Sequence, residues 1–346
     1  MIIVWDTHTF TPVRTIFEPH KNGVGAIDIS GDGALVATLS KVGPSDALHG
    51  IKQELAFWNW TAEGDSPLVV GAVITQDIQT CVRFNPSDPL EVVTNGVRRT
   101  TFWTWREDEG RFSFYSPAVS KREFPQAIAN FTQSCFLPNT PSAVTATTNG
   151  ELLLWSCDDT EQQQQAAAMD QSEGQPRVRK PDRVPTKLVR LHTTGGITTI
   201  HSENAYVVTG GTDGFVRIFD FRFRLLAWFE DIKSGPITSV SLSAYSEQGG
   251  RAAGTSIDVG DVTIPDFIVG TSEGNIVLVH SECFESPDPE DRQGELLLRG
   301  LTSFISCITT HPRLPYVYIG TADGRLAVYD YEERVFIAWK SFGRKK

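Results

Sequence analysis

Short runs of apolar residues recur along the chain, each followed by a turn signal and then by a second run. The runs are rich in β-branched and aromatic residues, as in "AYVVTGG" followed by "FVRIFD" and "YVYIGTA" followed by "LAVYD". Such residues suit a pleated, half-buried surface. The pattern therefore predicts short β-strands joined by turns, and no helical periodicity of comparable length interrupts it.

The turn signals are Asn-Gly, Asp-Gly and Glu-Gly pairs. Glycine has no Cβ to clash at positive φ, and asparagine or aspartate tolerates that region, so these pairs predict two-residue hairpin turns with positive φ at both positions. The predicted turns are Asn95–Gly96, Asn149–Gly150, Asp213–Gly214, Glu273–Gly274 and Asp323–Gly324.

The turns belong to a repeat. An aromatic or apolar residue followed by a short polar one ends the strand after each turn, and "TNGVRRTTFWT" contains two extra residues before that point. The strand ends are Trp5, Trp58, Trp103, Trp155, Phe219, Val279 and Tyr329, which lie 45 to 64 residues apart. This spacing is slightly longer than the roughly 40–45 residues of a WD-repeat blade. It predicts an all-β protein of four-stranded antiparallel blades, a β-propeller, with strands a to d from the inside outwards.

About seven blades are predicted within a single propeller of residues 1–346. Six complete blades occupy residues 24–342, whereas residues 1–22 provide only the outer two strands of a blade, "IIVWD" and "VRTIFE". An incomplete blade would leave a sheet edge to which strands can be added. Two explanations stay open: a second chain or an upstream segment completes this half blade, or the start codon is wrongly assigned.

Three of four long insertions fall in loops of one face of the propeller, the face formed by the a–b and c–d loops. They are residues 158–185, 244–262 and 281–294. Repeat proteins commonly carry binding insertions on one face, so this face is the predicted interaction face. Residues 158–185 are rich in Gln, Glu, Pro and Ser and predict disorder, with a basic cluster at Arg177, Arg179, Lys180 and Arg183.

Further basic candidates for contact with an acidic partner are Arg222 and Arg224 and the tail residues Arg344, Lys345 and Lys346. In "FDFRFRLLAWF", a period of two predicts that alternate residues share one side of the sheet. The side predicted to be buried contains Phe219, Phe221, Phe223, Leu225 and Ala227. The arginines would then be solvated side chains or contact sites.

Composition narrows the function classes. The net charge of −11 argues against a general nucleic-acid binder, which needs a basic face. No apolar run is long enough for a membrane-spanning helix, so no membrane partner is predicted. The five cysteines are scattered and form no C-x-x-C pair, which predicts free thiols in a reducing, cytoplasmic compartment rather than a disulfide or zinc framework.

Enzyme motifs are absent from the sequence. It contains no nucleophile elbow, P-loop, H-E-x-x-H or dinucleotide-binding glycine motif, so no catalytic, cofactor-binding or metal-binding residue is predicted. His20 and His311 lie at strand-to-loop positions where a structural role is expected. The sequence therefore favours a binding or scaffolding protein.

The repeat resembles the WD-repeat family across essentially the whole chain, although the Trp-Asp ending is intact only at Trp5–Asp6. Three longer stretches resemble the propeller region of the cilia- and flagella-associated protein 251 family. They are "VTNGVRRTTFWTW", "FTQSCFLPNTPSAVTATTNGELLLW" and "GGTDGFVRIFDFRFRLLAWFEDIKSGPITSVSLS".

This resemblance implies a non-enzymatic scaffold of the ciliary or flagellar axoneme, within the calmodulin- and spoke-associated complex at the base of a radial spoke on the doublet microtubule. Its implied partners are other axonemal proteins and the microtubule. The sequence has no D-x-[DN]-x-[DN]-G calcium loop, so calcium or calmodulin dependence is not assigned to it. A soluble cytosolic interaction hub, or a general microtubule-associated propeller, is the alternative.

Overall fold

The computed structural model describes residues 1–43, 53–157, 182–203, 205–230, 232–242, 256–259, 262–290, 292–301 and 303–342. Six four-stranded antiparallel sheets account for most of these residues, with two further two-stranded sheets and one short 3-10 helix, Ser281–Glu285. The predicted all-β, WD-repeat β-propeller class is confirmed, with six complete blades and an N-terminal half blade. Contacts divide the chain into two compact units.

The first unit comprises residues 1–147 and 151–190. Its half blade is β1 (Ile2–Trp5) paired with β2 (Pro12–Ile16). Its three complete sheets are β3 (Val24–Ile29), β4 (Leu35–Ser40), β5 (Gln53–Asn59) and β6 (Val69–Val73); β7 (Cys81–Asn85), β8 (Asp88–Asn95), β9 (Thr100–Arg106) and β10 (Arg111–Tyr115); and β11 (Phe131–Phe136), β12 (Ala143–Thr147), β13 (Glu151–Cys157) and β14 (Arg183–Arg190).

The second unit comprises residues 148–150 and 191–346. Its first two sheets are β15 (Ile197–Glu203), β16 (Tyr206–Gly211), β17 (Val216–Asp220) and β18 (Leu225–Phe229); and β19 (Ile237–Leu242), β22 (Phe267–Thr271), β23 (Ile276–Val279) and β24 (Glu295–Leu298). A hairpin of β20 (Ser256–Val259) and β21 (Val262–Pro265) comes between β19 and β22. The last sheet is β25 (Ile305–Thr310), β26 (Tyr316–Thr321), β27 (Arg325–Asp330) and β28 (Val335–Ser341).

The apolar core lies between successive sheets. One cluster joins the first two complete sheets through residues such as Leu55, Phe57 and Val82, all fully buried. Tryptophans that end the third strand of a blade add a specific bond, because each donates its indole N–H to a threonine of the second strand. Trp58 bonds to Thr38 at 2.8 Å, Trp103 to Thr94 at 3.0 Å and Trp155 to Thr145 at 2.8 Å. The repeated tryptophan therefore satisfies its one donor inside the core.

The predicted turns occur between the second and third strands, but their geometry differs from the expectation. Among the residues of the five predicted turns, only the glycines Gly150, Gly214, Gly274 and Gly324 have positive φ, between 76° and 81°. In the Asp213–Gly214 turn, Gly214 N–H donates to Gly211 O, as in a type I turn closed by a left-handed glycine. The residue before the glycine thus keeps negative φ, because only one position of this wider turn needs the left-handed region.

Three local expectations are corrected. Strand β14 begins at Arg183, so residues 183–185 belong to a strand and not to the loop predicted for 158–185. The predicted 244–262 loop contains β20 and the start of β21. Leu225 is 46% exposed, so the regular alternation predicted from Phe219 to Ala227 is wrong. A turn with Phe223 at φ 62° and a bulge opposite Phe219 shift the register there.

Candidate interaction surfaces

A groove of the first unit lies between its second and third complete sheets. Its volume is about 760 Å³, and its walls come from the β7–β8, β9–β10 and β11–β12 loops and from the residues that flank the 158–181 segment. These are a–b and c–d loops, so the groove opens on the face that the insertions predict to be the interaction face. Residues 158–181 and 243–255 lie outside the described residues.

The floor of the groove is a buried ion pair. The two terminal guanidinium nitrogens of Arg183, Nη1 and Nη2, donate to the carboxylate of Glu91 at 2.5 and 3.1 Å, and the two residues are 5% and 3% exposed. The guanidinium carbon lies about 5 Å from the ring centres of Phe102 and Phe136. Burial lowers the pKa of Arg183, but the hydrogen bonds and charge of Glu91 outweigh this, so its pKa is raised. Arg183 therefore joins the second sheet to the third.

This result separates Arg183 from the other residues of the predicted basic cluster. Arg183 is not part of a solvated patch, because its side chain is enclosed and its charge is neutralised by Glu91. Arg177, Arg179 and Lys180 lie outside the described residues, as do Arg344, Lys345 and Lys346 of the tail. That these six residues contact a partner stays a prediction.

Arg222 and Arg224 occupy the exposed β17–β18 turn. The Asp220 carboxylate organises this turn: it accepts the backbone N–H groups of Arg222 at 2.9 Å and Arg224 at 2.8 Å, and it pairs with the Arg224 guanidinium at 2.6 Å. Burial raises the pKa of Asp220, and these bonds lower it further than burial raises it. Arg224 thus has a structural partner, whereas the Arg222 side chain points to an exposed surface.

Two histidines of the second unit, His192 and His280, form hydrogen bonds with side chains of the same unit. His192 Nε2 lies 2.9 Å from Thr209 Oγ1, and His192 Nδ1 lies 3.2 Å from Asp213, which also pairs with Arg217 at 2.9 Å. His280 Nδ1 lies 2.8 Å from Asp266, and this bond, opposed by burial, raises the pKa of His280. Both arrangements fix loops to strands. Sequence analysis missed them because each histidine lies 14 to 25 residues from its partners in the chain.

Other chemistry is limited in the described part of the chain. It contains no group of three or more His, Cys, Asp or Glu residues that could hold a metal ion. None of its helices is long and apolar enough to cross a membrane. All five cysteines are free thiols, and burial raises the pKa of the Cys81 thiol and raises that of Cys283 to about 11, which disfavours the reactive thiolate.

Comparison with known proteins assigns this chain to a family. The model of the CFAP251 N-terminal domain matches residues 1–284. Cilia- and flagella-associated protein 251 of Chlamydomonas reinhardtii is 34% identical over 358 residues, which covers 100% of this chain and 42% of that protein. The protein of the same name is 29% identical in Tetrahymena thermophila (96% of this chain, 34% of that protein) and 25% identical in Mus musculus (99% and 25%).

Solved structures share the fold. The β-propeller domain of Cps50 (Swd1) from Myceliophteria thermophila superposes with a TM-score of 0.64 at 13% identity, covering 95% of this chain and 89% of that domain. Sqt1 of Chaetomium thermophilum, bound to the N-terminus of the ribosomal protein L10, gives a TM-score of 0.57 at 16% identity, covering 94% and 76%. At these identities the similarity concerns the fold alone.

Proposed function

Because the chain belongs to the cilia- and flagella-associated protein 251 family, we propose that it is a non-enzymatic scaffold of the axoneme. Its place would be the complex at the base of a radial spoke on the doublet microtubule, where it supports motility. The observation that carries this proposal is the match of 96% or more of the chain to proteins of one ciliary family in an alga, a ciliate and a mouse. The chain spans less than half the length of each of these relatives.

The geometry supports a binding role for this chain. The blades are four-stranded sheets packed through buried apolar residues, and the loops between their strands lie at the surface, where other polypeptides can be bound. The 760 Å³ groove opens among the β7–β8, β9–β10 and β11–β12 loops. Axonemal proteins are its proposed partners, with the doublet microtubule as the structure on which the complex sits. Contact with the microtubule would use local surfaces, since the net charge of −11 opposes general attraction to an acidic polymer.

The proposal is tested by location and extraction. A tagged copy in a flagellated cell is expected to remain with the axoneme after detergent treatment and through a series of increasing salt concentrations, in a periodic array along the doublets. Release into the detergent-soluble fraction, with no axonemal signal, would instead indicate a soluble hub or a general microtubule-associated propeller.

The half blade offers a second contact surface. In three of the complete blades, the inner strand turns an apolar residue towards the preceding sheet: Val82, Val240 and Ile308 occupy this position and are 0%, 3% and 7% exposed. The residue at the same register of β3 is Ile27, which is 48% exposed, and Ile29 is 53% exposed. The β1–β2 sheet has only two strands. We propose that two strands from a second chain or from an upstream segment cover this surface.

Replacing Ile27 by aspartate tests this completion. The purified chain should lose less than about 0.5 kcal/mol of unfolding free energy, because the side chain is already exposed, but the variant should leave the axoneme at lower salt than the wild type. Val70→Asp, at a 48% exposed position of β6, is the control that should be retained. Equal retention of all three proteins would show that Ile27 is not covered in the axoneme.

A further inference from the structure

The turn between β8 and β9 differs from the other second-to-third strand turns of the chain. It contains the two extra residues seen in "TNGVRRTTFWT", and it presents Val97, Arg98 and Arg99 at the surface, all exposed. Residues 96–99 are called the Arg98 turn below. It lies on the face opposite the 760 Å³ groove, among the b–c and d–a loops of the first unit.

The Arg98 turn is held rigidly by its neighbours. The Asp77 carboxylate accepts the backbone N–H groups of Val97, Arg98 and Arg99 at 3.2, 2.9 and 2.8 Å. On the other side, Phe131 N–H donates to Val97 O at 2.8 Å. The charge of Asp77 is thus directed at the backbone of the turn, and the positions of the two arginine backbones are fixed before any partner binds.

The two arginine side chains stay available. Within the described residues, neither the Arg98 nor the Arg99 guanidinium group has a hydrogen bond or an ion pair. Some arginines elsewhere in the same unit have carboxylate partners, as in Arg14–Asp65 at 2.7 Å and Arg83–Asp28 at 3.8 Å. In a chain of net charge −11, the adjacent Arg98 and Arg99 form a local patch of opposite charge.

Two grooves flank the Arg98 turn and share Val97 and Arg98 in their lining. One, of about 480 Å³, is bounded by residues 74–77, including Ile74, which is 78% exposed. The other, of about 440 Å³, is bounded by the loop of residues 119–131 and includes Lys121. The cations that line the two grooves are Arg98, Arg99 and Lys121, and Asp77 is the sole carboxylate in either lining. The surface therefore combines positive charge with exposed aliphatic side chains.

We propose that the Arg98 turn is a docking site for an acidic, partly apolar segment of another protein. Carboxylates of the segment would bond to the forked guanidinium groups of Arg98 and Arg99, and its apolar side chains would enter the grooves beside Ile74 and Val97. The charge of the site is complementary to such a segment and opposite to that of the rest of the chain. This site is distinct from the insertion-bearing face and goes beyond the scaffold role proposed above.

The test is direct binding to the purified full chain. The probe is a fluorescein-labelled synthetic peptide of alternating glutamate and leucine, with fluorescence anisotropy measured at two salt concentrations. The wild type is expected to bind, more weakly at the higher salt. The variant Arg98→Glu/Arg99→Glu is expected to lose about tenfold or more in affinity, because two attractions become repulsions.

The control variant is Arg299→Glu/Arg313→Glu, which makes the same change of net charge at two exposed arginines of the second unit and should bind like the wild type. Thermal melts of both variants check that the fold is intact. Equal loss in the two variants would mean that only net charge matters, and loss in the control alone would place the site in the second unit; either result would overturn the proposal. A single-stranded RNA that competes with the peptide at similar concentration would also overturn the proposal, since it would show an unspecific anion site.

Discussion

Replacing Glu91 by alanine is expected to lower the free energy of unfolding by about 3–5 kcal/mol. The substitution leaves the Arg183 guanidinium buried between Phe102 and Phe136 without its counter-ion. It also removes the acceptor of the Asn85 side-chain amide, which bonds to Glu91 at 2.7 Å. Urea denaturation of the purified protein, followed by tryptophan fluorescence, measures the change.

Two further variants distinguish the cost of a buried, unpaired charge from the cost of losing a salt bridge at the surface. Glu109→Ala breaks the Arg111–Glu109 pair, whose side chains are 74% and 36% exposed, and should cost about 1 kcal/mol or less because water screens such pairs. The double variant Glu91→Gln/Arg183→Met removes both charges and should recover much of the loss. If Glu91→Ala and Glu109→Ala prove equally mild, the Arg183–Glu91 pair does not hold the two sheets together.

Replacing Gly150 by alanine is expected to lower the free energy of unfolding by about 2–5 kcal/mol. This is more than the same replacement should cost at Gly33. Gly150 has a φ of 78°, and an added Cβ would lie 2.4 Å from His192 O and 2.8 Å from Gly195 O. Both contacts are backbone atoms that cannot rotate away. The left-handed conformation contributes about 1–2 kcal/mol to the cost, and overpacking contributes about 1–3 kcal/mol more.

Gly33→Ala is the matched control. Gly33 has nearly the same φ, 72°, but no atom lies within 4 Å of its added Cβ, so it should show the conformational cost alone. The difference between the unfolding free energies of the two variants, measured by urea denaturation, then gives the cost of the contact between the added Cβ and His192 O. That approach matters because Gly150 O accepts the N–H groups of Leu191 and His192, at 2.9 and 3.0 Å. Equal costs would show that the connection between β14 and β15 at His192 shifts to accommodate the added methyl group.

Much of the architecture was predictable because its signals are local. The residues that end each third strand mark the blades, and their tryptophans bond to threonines of the neighbouring strand, as Trp155 does to Thr145. Strand counting also predicted that residues 1–22 contain only two strands, and β1 and β2 form such a two-stranded sheet. Strand identity depends on composition and on a period of two within a few residues, and both can be read directly.

The candidate sites were less predictable. Arg183 resembled the other cations of its segment in sequence, yet it is buried because Glu91, 92 residues away, supplies its counter-charge. The two extra residues before Trp103 were visible in the sequence, but their significance depends on Asp77, which belongs to a different loop. The prediction that Leu225 is buried was wrong for a similar reason. The bulge that shifts its register arises only when β17 pairs with β18.

The sequence by itself therefore determined the strands, their order, the blade repeat, the two-stranded first sheet and the resemblance to a ciliary family. The tertiary structure alone decided which charges are enclosed and which remain at the surface: Arg183 is neutralised inside, whereas Arg98 and Arg99 are not. The physical reason is that backbone pairing follows short-range patterns, whereas the environment of a charge depends on residues from other strands and loops that only the folded chain brings within a few ångströms.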